Sequence, residues 1–104
     1  LYRTSIKYWP ELERPREKLL KKGPEYLSDR ELLAIILRIG IRSSKEKFSA
    51  LDPAKKVLSK SGSLKNLLDL SLSEFLKIKG IGKVKAAQAI AALELGRRAV
   101  SEII

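Results

Sequence analysis

Lys77-Ile78-Lys79-Gly80-Ile81-Gly82-Lys83-Val84-Lys85-Ala86 is the stretch whose reading decides the fold. Ahead of it, Ser71-Leu72-Ser73-Glu74 has the spacing of a capping box, in which the serine and glutamate side chains each satisfy a backbone N–H at a helix start. Behind it, Val84 to Leu95 is dominated by strong helix formers, with alanines that allow close backbone approach. The two glycines therefore mark a tight turn between two helices. The turn is predicted at residues 79–83, with Ile81 directed inward as an anchor.

Working toward the N-terminus, Ser63 caps a short helix in which Leu64, Leu67 and Leu68 share a face. Asp52-Pro53 opens a helix that runs to about Lys60 and is closed by Gly62. Ile41 to Leu51 reads as a polar, basic connector. A surface loop is the plain reading of it, and contact with a second DNA strand the bolder one. Ser28-Asp29-Arg30-Glu31 is another capping box, leading into Leu32, Leu33, Ile35, Ile36, Leu37 and Ile39, with Gly40 as the expected stop. A helix so apolar around its circumference is expected at the centre of the fold. Arg14 to Leu20 gives a further short helix with Pro15 in its first turn and Gly23-Pro24 at its end.

Residues 1–13, with Tyr2, Tyr8 and Trp9, read as an N-terminal arm laid on the domain. Residues 14–100 are expected to form the domain. Residues 101–104 read as a C-terminal tail or linker to a further, absent domain. Apolar/polar alternation never persists, so no strand is expected. The fold class is all-α: a compact bundle of about five to six short helices. A faint echo links Ser28-x-x-Glu31 through Ile39-Gly40 with Ser71-x-x-Glu74 through Ile81-Gly82. Either a degenerate duplication of the hairpin unit or two independently capped helices would produce it.

Composition bounds the chemistry. The 104 residues carry 22 lysines and arginines against 12 acidic residues, a formal charge of +10, which favours a polyanionic partner. A solvated basic surface is the plainer alternative. With no cysteine, disulfide and thiolate chemistry are excluded, in keeping with a reducing cytoplasm. With no histidine, the usual zinc sites, Ser-His triads and histidine bases are excluded from this chain as well. No apolar run approaches membrane-spanning length, and no membrane partner is expected.

The turn has the chemistry of a phosphate grip. The first N–H groups of the following helix lack intrahelical partners and lie at the positive end of its dipole. The expected donors are the N–H groups of Gly80, Gly82, Lys83 and Val84, with Lys79, Lys83 and Lys85 as surrounding charges and Lys77 one turn back. Between Lys77 and Arg98 six basic residues face one acid, Glu94, so the basic excess is expected to gather here. Such contacts carry no base information. Engaging roughly three to five phosphates would give a log–log salt slope of about −3 to −4.5. The competing reading is a turn that joins two helices or docks a protein and binds no phosphate. No cofactor or metal is required; a monovalent cation under the hairpin carbonyls is left open.

The same residues resemble the helix-hairpin-helix motif of DNA repair and recombination proteins. The likeness extends to Arg14-Pro15-Arg16-Glu17-Lys18-Leu19-Leu20, to Leu27-Ser28-Asp29-x-Glu31-Leu32-Leu33-Ala34-Ile35-x-Leu37-Arg38-x-Gly40, and to Ala91-Ala92-Leu93-Glu94-Leu95-Gly96-Arg97-Arg98. Together they resemble the N-terminal domain of RadC-family proteins, from about Ile6 to Arg98. The resemblance implies a helical domain with a helix-hairpin-helix, in a family historically linked to DNA repair. It also implies a following metallopeptidase-like domain of the JAB/MPN type, whose metal site needs histidines that this chain lacks. Many helix-hairpin-helix proteins carry a basic residue where this chain has Val84. RadC-like sequences favour lysine at the position of Lys85, which becomes the expected side-chain contact. Helix-hairpin-helix glycosylase-lyases add a lysine nucleophile and an aspartate; no aspartate follows the hairpin, and Glu94 has no evident partner. The expectation is a non-catalytic, largely sequence-independent DNA-binding module. The alternative is a docking domain for a JAB/MPN-like domain or a repair partner.

Overall fold

The computed structural model describes residues 14–37 and 52–103. Six α-helices fall in these residues: α1 (Pro15–Lys22), α2 (Asp29–Ile36), α3 (Asp52–Ser61), α4 (Leu64–Leu67), α5 (Leu72–Leu76) and α6 (Lys83–Ile103). A 3-10 turn, Pro24–Tyr26, joins the first two, and no strand occurs among the described residues. The fold is the expected all-α bundle. The N-terminal arm, Gly40 and the 41–51 connector lie outside the described residues.

Local chemistry sets the helix starts. The Ser28 hydroxyl accepts from the Glu31 N–H at 3.1 Å, and the Ser28 N–H donates to Glu31 Oε1 at 2.9 Å. Ser71 and Glu74 repeat the arrangement at 3.2 Å and 2.8 Å. Ser63 caps α4 through the Asn66 N–H at 3.1 Å. Two reciprocal boxes thus open α2 and α5, the two helices that the sequence echo pairs. The Ile39-Gly40 turn that would complete the first copy lies outside the described residues.

The core gathers Leu33, Ala34 and Leu37 from α2, Ala54 and Val57 from α3, Leu67, Phe75, and Ile78 and Ile81 from the hairpin approach. Ala86 and Ala89 of α6 complete it. Phe75, Leu37 and Val57 are the largest side chains fully withdrawn from solvent. α2 packs on α1, α3 and α6, and α6 also packs on α5. The central place expected for α2 is therefore right, but its burial is one-sided: Leu33 and Ala34 are buried while Ile36 is exposed.

The structure adds detail at three places. α4 is a single turn, and of Leu64, Leu67 and Leu68 only Leu67 reaches the core. α6 packs along its first half, through Ala86 and Ala89, whereas Leu95, Val100 and Ile103 stand in solvent. Helical structure also continues past Gly96 and residue 100 to Ile103, since no proline or left-handed glycine interrupts it.

Candidate nucleic-acid interface

The hairpin is built by the backbone between α5 and α6. The Ile78 N–H donates to the Phe75 carbonyl at 3.1 Å, and the Ile81 N–H to the Ile78 carbonyl at 3.1 Å. Ile78 and Ile81 turn inward and are buried, so the loop is pinned at both sides of Gly80. The inward anchor expected at Ile81 is present. The Gly82 carbonyl then accepts from the Ala86 N–H at 2.9 Å, which makes Gly82 the residue from which α6 starts. By helix geometry the N–H groups of Lys83, Val84 and Lys85 have no intrahelical acceptor.

The two glycines do different work. Gly80 has φ +95°, and a Cβ there would lie 3.2 Å from Cγ of Pro53. The backbone conformation therefore favours glycine at 80, and a side chain there would also press on Pro53. Gly82 lies outside the positive-φ region, and a Cβ on it would meet no atom within 4 Å. Neither backbone conformation nor packing demands glycine at 82; what it leaves there is open approach to the N–H groups of the first turn of α6.

Four lysines stand within five residues of Gly82 along the chain. Lys77, Lys79 and Lys83 are exposed, and Lys85 is half-buried. Val84, in the same first turn, is 72% exposed although apolar, so the turn faces outward rather than into the core. All seven predicted residues, Lys79 to Lys85, therefore fall on one hairpin, with only Ile81 withdrawn from solvent.

Arg97 and Arg98 do not belong to it. They lie about 21 Å along α6 from Lys83. Arg97 donates to the Leu68 carbonyl at 2.6 Å and approaches Asp69 at 3.7 Å, fastening α6 to the end of α4. Glu94, for which the sequence offered no partner, is engaged by Arg97 at 3.3 Å and by Arg98 at 2.9 Å. The basic excess expected at the hairpin is accordingly carried by its lysines alone, because helix pitch takes the arginines away. Pro53 was missed as a hairpin residue; its distance along the chain from Gly80 leaves no local signal.

Two carboxyls near these elements are displaced from the ordinary glutamate range. At Glu31, burial pushes the carboxyl up, but the Ser28 N–H and hydroxyl and the Lys18 ammonium together outweigh it and hold it low. Lys18 Nζ lies 3.1 Å from Glu31 Oε2, tying α1 to α2. Glu74 is also held low, first by the Ser71 N–H, and further by the Ser71 hydroxyl and the charges of Lys60 and Lys77. Among the described residues no group of acids is arranged to hold a metal ion, and no helix is long and apolar enough to cross a membrane.

A capped helix, a glycine hairpin and a second helix whose exposed first turn is flanked by lysines make up the site. The chain belongs to the UPF0758 N-terminal family, which matches it over residues 6–87 and is the RadC-type family that the motifs resemble. It is 50% identical to a UPF0758 protein of Acinetobacter baumannii over 91% of this chain and 39% of that protein. With a UPF0758 protein of Coprothermobacter proteolyticus it shares 53% identity over 93% of this chain and 40% of the relative. A UPF0758 protein of Nitrosospira multiformis is 50% identical over 94% of this chain and 42% of its own length. The chain thus spans about two fifths of the length of these curated relatives. No solved structure matches it.

Proposed function

We propose that this domain is a non-catalytic DNA-binding module that grips backbone phosphates through the α5–α6 hairpin. The observation that carries the reading is the open first turn of α6: Gly82 leaves space for an incoming oxygen, and the neighbouring N–H groups lack helical acceptors. Lys79, Lys83 and Lys85 supply charge around it, and the +10 balance of the chain favours the encounter. A phosphate oxygen would take the N–H groups of Gly82, Lys83 and Val84, and Lys85 would reach an adjacent phosphate. Contacts of this type fix position and leave sequence unread. A role in DNA repair or recombination follows from the motif resemblance. The test is a salt-titrated binding comparison of single-stranded, duplex and branched DNA. Binding that weakens steeply with salt supports the reading, and binding to none of the three refutes it. Borohydride trapping on an abasic duplex is expected to give no covalent adduct.

The exposed Leu95, Val100 and Ile103 on the outer half of α6 favour a second reading. In it, this apolar helix end docks a further domain of the longer relatives, of JAB/MPN-like type, or a repair partner. The two readings use opposite ends of α6, and the hairpin variants separate them: only the first predicts that they weaken DNA binding.

A further inference from the structure

Nothing in the fold calls for an apolar side chain at Val84. It is 72% exposed in the first turn of α6 and takes no part in the core, to which this helix gives Ala86 and Ala89. Valine is also a weaker helix former than alanine or lysine, so the start of α6 does not ask for it. Isolated apolar residues on a surface are ordinary, but this one has a particular place. The Gly82 carbonyl accepts from the Ala86 N–H, so Val84 lies in the opening turn, between exposed Lys83 and half-buried Lys85. Side chains on a helix lean toward its N-terminus and cover the turn before their own Cα. The Val84 methyl groups therefore lean toward the end of α6 where Gly82 leaves open space and the first N–H groups lack helical acceptors.

We infer that Val84 is the apolar half of the hairpin grip: its methyl groups pack on the deoxyribose carbons beside the phosphate that the α6 N–H groups hold. The inference rests on the hairpin reading above and adds the class of phosphate taken, an internal phosphodiester of a strand in preference to free phosphate. A diester phosphate carries sugar carbons on its bridging oxygens, so a strand held at this turn brings C–H surface next to the same N–H groups. A free phosphate brings none, and Val84 then stays in water. Lysine contacts draw on counterion release and fade as salt rises, whereas apolar contact does not depend on it. The two halves of the grip are therefore separable by salt.

Salt titrations of Val84→Ala and of Lys83→Gln/Lys85→Gln, against one fixed duplex and against inorganic polyphosphate, test this. Polyphosphate offers a chain of phosphates without sugar carbons. On the duplex, Val84→Ala keeps the backbone N–H and is expected to bind roughly threefold to tenfold more weakly at every salt concentration, with the wild-type slope. The lysine pair is expected to lose affinity with a flatter slope. On polyphosphate, Val84→Ala should lose clearly less than it does on the duplex. If Val84→Ala binds the duplex like wild type, flattens its slope as the lysine pair does, or loses as much on polyphosphate, the Val84 contact is overturned while the hairpin reading stands. If the lysine pair binds the duplex like wild type, the hairpin reading fails first and the contact falls with it. Melting temperatures of both variants, expected within a few degrees of wild type, exclude unfolding as the cause.

Discussion

Gly80 and Pro53, far apart in the chain, meet so closely that a Cβ on Gly80 would stand 3.2 Å from the proline ring, at a φ of +95°. Gly82, two residues on, has open space where its Cβ would be. One glycine serves the fold and the other leaves a surface accessible.

That division predicts opposite phenotypes. Gly80→Ala forces a left-handed conformation and crowds Pro53, so it should cost about 1–3 kcal/mol and lower the melting temperature. Gly82→Val should leave the melting temperature close to wild type and still reduce DNA affinity. Thermal melts paired with binding curves check both; equal destabilisation by the two substitutions would contradict the assignment.

The helix starts make a second prediction. Ser28→Ala and Ser71→Ala each remove the side-chain half of a capping box and should each cost about 1 kcal/mol. Denaturant unfolding measures the loss, and because α2 and α5 are separate elements the double variant should lose roughly the sum.

Glu31 gives the pH dependence. Its carboxyl is held below the ordinary range in the folded chain, so its stabilisation is complete above the unfolded value of about 4.3 and disappears as pH falls through the lower folded value. Glu31→Gln should therefore be less stable than wild type at pH 7, by about 1 kcal/mol, and equally stable in strong acid, where the Glu31 carboxyl of wild type is protonated in the folded and the unfolded chain alike. Melts across that range decide it.

Arg97 should be a stability residue and leave DNA binding alone. Arg97→Gln removes the bond to the Leu68 carbonyl and should cost about 1 kcal/mol, with DNA affinity reduced far less than by loss of Lys83 and Lys85.

Much of this architecture is legible in the sequence because it is written locally. The Ser28–Glu31 and Ser71–Glu74 boxes, the Gly80–Gly82 turn and the inward Ile81 depend on residues within a few positions of one another. What depends on packing was not legible. Neither the seating of Pro53 on Gly80 nor the reach of Arg97 to Leu68 has a local signal, because each joins residues that only tertiary structure brings together. The point along α6 at which packing stops was not legible for a related reason. Its alanines suit a buried and an exposed helix face equally well, so composition alone does not say where the packing ends.

The central claim is that the lysines around Gly82 hold DNA by its phosphates. It is tested most directly by comparing wild type with Lys83→Glu/Lys85→Glu in duplex binding across a salt series, with folding monitored by thermal melting. Wild type is expected to show a log–log slope of about −3 to −4.5, and the variant a much weaker affinity and a flatter slope at nearly unchanged melting temperature. Equal affinity and equal slope for the two proteins would contradict the account.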